Sequence, residues 1–252
     1  MVNIDTVYQK VLAIANKEQR GYITPQEFNL FADYAQKDIF EKYFYDISQF
    51  KRVPGNSTEY SDIINNLQEK ISLFEKFNVL ANVVGGGGDI NLANDFSDLY
   101  RLGRVAVKYN STSNDRLLPN TTVEEMQIKD FDIYGAGGLT GYTKQRPIYL
   151  RFRTTASTDR LKIYPPPSSD PNIDQVYVSY IKKPEKPNWS GIEVNGNFLY
   201  NETASTNFEL HPEEENLLII KILQLAGISM KDFGLAQAAG QKEANDISNE
   251  KS

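Results

Sequence analysis

Apolar and polar positions along this chain follow two rhythms, one helical and one extended. The densest apolar run lies in residues 208–232, FELHPEEENLLIIKILQLAGISMKD. Leu217, Leu218, Ile219, Ile220, Ile222, Leu223 and Leu225 follow almost without relief, and Glu214, Lys221 and Gln224 share a narrow polar stripe. A helix apolar nearly all round must be enclosed by protein. Pro212 suits its first position, where a missing N–H costs nothing. Glu213, Glu214 and Glu215 set negative charge at the positive end of the helix dipole. Gly227 predicts a left-handed stop, with a short second helix restarting at Ser229. The run is too short, and too charged at its start, to span a bilayer.

Three earlier segments share the helical period. Asn3 or Asp5 can cap a first helix carrying Val7, Val11, Leu12, Ile14 and Ala15, which Gly21 breaks. Thr24-Pro25-Gln26-Glu27 is a start signal, with Thr as cap, Pro at the first position and Glu three on from the cap. The second helix places Phe28, Phe31, Ala32, Ala35, Ile39, Tyr43 and Ile47 at steps of three and four. Tyr34, Phe40 and Phe44 add a second aromatic face, more than one helical partner can cover. A third helix is expected over residues 59–80, on Ile63, Ile64, Leu67, Ile71, Phe74 and Phe77.

The rhythm changes after the glycine run at residues 85–88, which reads as a hinge because glycine breaks helices. Strands are expected over residues 100–109, 147–153, 161–164 and 176–181, where apolar side chains alternate and β-branched and aromatic residues are frequent. Thr122 is read as the cap of a short helix. Pro165-Pro166-Pro167, and the prolines among residues 182–187, stop strands because proline cannot donate to a ladder. Residues 192–210 hold one or two weaker strands. The expected fold is α+β: a helical bundle built from the N-terminal helices and a C-terminal helix, with an inserted β-rich, sandwich- or barrel-like domain. The expected divisions are 1–84, 85–207, 208–234 and a flexible tail at 235–252.

Composition narrows the function classes. Of 252 residues, 40% are hydrophobic and 24% charged, with a net charge of −6, so no basic surface advertises nucleic-acid binding. There is no Cys, which removes disulfides and thiolate chemistry. The N-terminus lacks a basic region followed by an apolar run, so no signal peptide is visible. His211 is the single histidine, with no second His or Cys to complete a zinc site and no paired nucleophile, so its expected role is local, near the helix start.

Asn16 to Glu27 imitates a calcium loop, with Gly21 sixth and Glu27 twelfth, but Arg20 stands where the ion needs an oxygen, and capping explains Thr24 and Glu27 without metal. The glycine run lacks the Gly-Lys-Ser/Thr of a phosphate cradle. Asn91, Asn94, Asp95 and Asp98 read as a solvated loop. No carboxylate pair stands out for glycosidase chemistry. The expectation is therefore a non-enzyme with no catalytic, cofactor-binding or metal residues. The alternative is a tail component whose β-domain binds a receptor or glycan, for which Tyr142, Tyr164 and Trp189 are the candidate aromatic platform.

Three stretches together carry a resemblance: NKEQRGYITPQEFNLFADYAQKDIF, VSYIKKPEKPNW following PIYLRFR, and NFELHPEEENLLIIKILQLAGISMKD. They resemble virion structural proteins of crAss-like and related short-tailed bacteriophages, and the order of elements is similar to podovirus head-to-tail connector proteins. The resemblance implies a homo-oligomeric adaptor ring of about twelve copies beneath the portal. Such a ring joins capsid to tail and extends the DNA channel, through which the genome passes without sequence-specific binding. The implied partners are the portal protein and other tail or ring proteins, with no membrane. The implied location is the virion, after assembly in the host cytoplasm. Ring subunits need complementary side surfaces, and Tyr34, Phe40, Phe44, Trp189, Leu235 and Ile247 are the candidate oligomer or partner contacts. An acidic balance suits a channel in which DNA must slide, since a basic lining would hold phosphates.

Overall fold

A computed structural model describes residues 1–17, 23–50, 58–84, 87–109, 121–134, 141–154, 158–168, 174–194, 197–229, 241–242 and 244. The helices are α1 (Ile4–Lys17), α2 (Pro25–Phe50), α3 (Thr58–Ser72), α4 (Leu92–Asp95), α5 (Ile128–Tyr134) and α6 (Glu215–Ser229). The strands are β1 (Glu75–Ala81), β2 (Val83–Val84), β3 (Asp89–Asn91), β4 (Leu99–Tyr109), β5 (Thr121–Glu125), β6 (Ile148–Arg153), β7 (Asp159–Tyr164), β8 (Asp174–Lys182), β9 (Gly191–Val194) and β10 (Asn197–Tyr200). The fold is α+β. The chain forms two compact units, one of Met1–Leu73 with Pro184–Ser252 and one of Phe74–Lys183.

In the first unit, local chemistry sets the helix starts. Asn3 caps α1, its Oδ1 accepting from the Thr6 N–H at 3.1 Å, while Asn207 Oδ1 takes the Ile4 N–H at 3.0 Å. Thr24 and Glu27 close a reciprocal capping box: the Thr24 N–H donates to Glu27 Oε2 at 3.0 Å and the Glu27 N–H donates to Thr24 Oγ1 at 3.3 Å. Phe28, Ala32, Ala35, Ile39 and Tyr43 then form the buried stripe of α2. The late helix is enclosed as its pattern demands, with Leu218, Ile219, Ile220, Ile222, Leu223 and Ala226 buried and α1 and α2 packed against it. Lys70 of α3 reaches the buried Glu214 at 2.6 Å.

Gly227 does not end α6, which runs on to Ser229. A glycine inside a helix costs only about 1 kcal/mol, and the surrounding burial outweighs it. The expected restart beyond Ser229, like the tail from residue 235, lies largely outside the described residues.

In the second unit, eight strands form one mixed sheet in the order β1-β8-β4-β5-β6-β7-β3-β2. Only β5 and β6 run parallel; the other pairs are antiparallel. The strands at the two ends of that order are consecutive in the chain, separated by Asn82 alone. The sheet therefore curls until its edges meet at that residue. Its interior face supplies the core, including Val105, Val107, Leu161, Ile163, Val176 and Val178, with Leu92 of α4 and Phe96 just after it joining them. The period-two alternation of β4, β7 and β8 is the direct cause, because one face of each strand is enclosed and the other is not.

Three expectations are corrected here. The third helix ends at Ser72, and the segment bearing Phe74 and Phe77 turns into β1, which pairs with β8. Thr122 lies within strand β5, paired with Ala106, instead of capping a helix. The two compact units divide at 73/74 and 183/184, with the β9–β10 hairpin in the helical unit and the glycine run in the sheet unit. Gly88 is no hinge: it is buried at φ +75°, and its carbonyl accepts from the Ile163 N–H at 3.0 Å.

Candidate functional site

Among the residues expected to meet neighbours, the structure separates surface from interior. Phe40 is 2% exposed and Trp189 4% exposed, so both are spent on packing within the chain. Phe40 packs edge-on against Phe44, which is half-buried. Trp189 lies over Tyr8 with ring centroids 4.5 Å apart, donates its indole N–H to Asp5 at 2.9 Å, and donates its backbone N–H to Asn29 Oδ1 at 2.7 Å. Aromatic residues bury readily when their polar edge finds a partner, and here one does. Tyr34 is the one that stays outside. It shares an α2 stripe with Leu30 and Tyr45; these three are 63%, 62% and 59% exposed in the order Leu30, Tyr34, Tyr45. At 100° per residue they fall within about 60° of arc. Leu235 and Ile247 lie outside the described residues.

The sheet unit holds two further sites. At the first, β1 and β4 each depart from regular register opposite β8, between Lys76 and Val79 and between Leu102 and Val105. A cleft of about 300 Å³ opens there, lined by Lys76, Phe77, Gly103, Arg104, Ser179 and Tyr180 among others. Asn78 adopts φ +50° and its N–H donates to Ser179 Oγ at 3.1 Å. Gly103 is required because a Cβ would sit 2.8 Å from the Ser179 carbonyl oxygen. Beside the cleft, Asp98 accepts from Lys76 Nζ at 2.7 Å and from the Tyr180 hydroxyl at 2.8 Å. Burial pulls the Asp98 carboxyl up, but the bonds from Lys76 and Tyr180 outweigh it and hold it below the usual carboxylate range. Lys76 is raised in turn, first by its bond to Asp98. The network is closed on itself and braces a bulged edge strand, a standard protection against strand addition.

The second site is the face of β7 turned from the core. Leu161 and Ile163 point into the core, so Arg160, Lys162 and Tyr164 lie on the opposite face, beside the buried Ile148 and Leu150 of β6. Register places Asp89 opposite Lys162 and Asn91 opposite Arg160 on that face. Asp89 Oδ1 and Arg160 Nε are buried atoms without a hydrogen-bond partner. At the other end of the row, the rings of Phe131, Tyr142 and Tyr164 cluster, with centroids 4.7 to 6.2 Å apart. All three residues are half-buried, and Lys162 Nζ lies 5.6 Å over the Tyr164 ring. Of the expected platform, Tyr142 and Tyr164 are thus brought together, Phe131 joins them, and Trp189 is buried in the other unit. Arg160, Asp89 and Phe131 were missed in the sequence. Alternation places Arg160 opposite the core face, but nothing local pairs it with Asp89.

His211 caps the turn before α6, its Nδ1 accepting from the Glu213 N–H at 3.4 Å. Asn91 caps α4, Asp95 accepts from Asn82 and Asp98 from Lys76, so these residues brace structured backbone where a solvated loop was expected. Among the described residues no cluster of His, Cys, Asp and Glu could hold a metal ion, and no helix is long and apolar enough to cross a membrane. Part of the calcium-like loop lies outside the described residues, and Glu27 within it serves the cap. No protein-family model matches the chain, and no curated protein matches it.

Proposed function

We propose that this chain is a bacteriophage virion structural protein that forms a ring in the head-to-tail connector beneath the portal. In this reading the helical unit is a bundle around α6, and the sheet unit is a domain inserted into it. The observation that carries it is the outward stripe of Leu30, Tyr34 and Tyr45 on α2, three large apolar side chains each more than half exposed. Scattered single apolar residues on a surface mean little, but Leu30 and Tyr34, one turn apart, form an exposed apolar pair, with Tyr45 further along the same stripe beyond Lys37 and Glu41. A ring repeats one heterologous contact that closes by rotation, so each copy must offer such a face to its neighbour. The resemblance at residues 16–40 and 207–232 supplies the phage context.

Electron microscopy of the purified chain mixed with portal protein tests this. Rings seated on the portal are expected. Tyr34→Lys combined with Leu30→Lys is expected to abolish them while circular dichroism stays unchanged, because both side chains already face water in the single chain. Monomers under all conditions, with portal present, would overturn the proposal.

A further inference from the structure

A head-to-tail contact joins two different surfaces of one chain, so the α2 stripe calls for a counterpart, and the sheet unit carries one. β1 and β4 both bulge against the same residue of β8. Phe77 and Asn78 on one side, and Gly103 and Arg104 on the other, stand two against one opposite Ser179. The cleft of about 300 Å³ opens at that level. Its lining includes Ser179 and Ile181, which alternate along β8 with the core residues Val178 and Tyr180, so it lies on the open face of the sheet. Phe77 in its wall is 73% exposed. An exposed aromatic ring and an arginine beside a cleft are the side chains in which protein contacts are rich.

Charge selects the occupant. Residues 74–183 hold 14 Lys and Arg against 12 Asp and Glu, a net charge of +2, while the helical unit holds 13 against 21, a net charge of −8. The sheet unit of one copy is therefore drawn to the helical unit of another, and helical units repel each other. The two surfaces repeat this asymmetry. Lys76 and Arg104 outnumber Glu75 in the cleft lining, and Arg104 is held by its Nε–H to the Thr122 hydroxyl at 3.0 Å. On α2, the exposed Glu27, Asp38 and Glu41 share an arc of about 100° with Leu30, Tyr34 and Tyr45, against one cation, Lys37. Glu27 is engaged by Thr24, Asp38 by Lys221 and Lys37 by Asp33, whereas among the described residues Glu41 makes no ion pair.

Spacing matches as well. Tyr34 and Glu41 are seven residues apart on one face of α2, about 10 Å along the axis. Phe77 and Arg104, both opposite Ser179, are two strand spacings apart, also about 10 Å. We infer that the cleft of the sheet unit receives the α2 stripe of a second copy, with Tyr34 against Phe77 and Glu41 beside Arg104. This rests on the stripe being an interface, as proposed above, and adds the surface that it meets.

The test uses the full chain, measured by sedimentation alone and with portal protein. Glu41→Arg and Arg104→Glu are each expected to weaken self-association about tenfold or more, because each sets like charges together. The chain carrying both reversals is expected to recover it, with circular dichroism unchanged throughout. The absence of native Cys gives a second measurement that needs no charge reversal. Tyr34→Cys and Phe77→Cys chains are mixed and treated with a short bismaleimide, and the mixed dimer is expected as the main product. Assembly that ignores both single reversals, or crosslinking of Tyr34→Cys only to itself, would overturn the inference and leave the stripe an interface. A chain that stays monomeric with portal present would overturn both.

Discussion

The indole N–H of Trp189 donates to the carboxylate of Asp5 at 2.9 Å, joining positions 184 residues apart. Trp189 is buried, so its donor has little access to bulk water. Asp5→Ala removes the acceptor and leaves a buried N–H unmet, at a cost of about 1–3 kcal/mol. Asp5→Asn keeps a carbonyl acceptor and costs less. Urea denaturation of the two variants checks the order, and equal midpoints would show that the bond contributes nothing.

Gly88 is fixed by sterics on two counts. Its φ of +75° disfavours any side chain, and a Cβ there would lie 2.6 Å from the Ile163 carbonyl oxygen. Gly88→Ala must therefore displace β7 or the turn before β3, for a loss of about 1–3 kcal/mol. Thermal melting followed by circular dichroism reads this. A hinge glycine would tolerate the change, so an unaltered melt would restore the hinge interpretation.

Tyr149 supplies a pH signature. Burial first, and then the negative charge of Glu125 to which its hydroxyl donates at 3.1 Å, push its pKa from the ordinary 10.0 up to about 12. A folded-state value raised above the unfolded one stabilises fully below the unfolded pKa, and that contribution is lost as pH rises through the folded one. Stability contributed by Tyr149 is thus present up to about pH 10 and lost between there and about 12. Tyr149→Phe is expected to flatten that part of the stability profile, measured by urea denaturation across the interval. An identical slope in both proteins would contradict the assignment.

Local rules were readable where their causes are local. The Thr24–Glu27 box, the His211 cap and the alternation of β7 and β8 each depend on residues within a few positions of one another, and the structure holds all of them. The reading failed where two local answers competed. Ile71, Phe74 and Phe77 repeat at helical steps, yet residues 75–81 become a strand because β8 offers a partner. Thr122 has the chemistry of a cap, but β4 offers it a ladder. The candidate sites divide in the same way. Of the aromatics named from sequence, Tyr34 is exposed and Tyr164 clusters with Phe131 and Tyr142, whereas Phe40 and Trp189 looked equally available and are consumed by Phe44, Tyr8 and Asp5.

By itself, the order of residues determined the α+β class, most helix starts, and which faces of the long strands and of α2 had to be hidden. Those are properties of spacing and of nearest neighbours, and they need no knowledge of distant chain. Only the tertiary structure decided that Lys76 would lie opposite Tyr180, that β1 and β2 would become the meeting edges of one sheet, and that Asp89 and Arg160 would share a face. The physical reason is that the β1–β8, β4–β8 and β3–β7 pairings join distant segments, such as Lys76 with Tyr180 and Asp89 with Lys162, so their outcome depends on which partner the whole closed sheet leaves free, a choice that no short window of sequence contains.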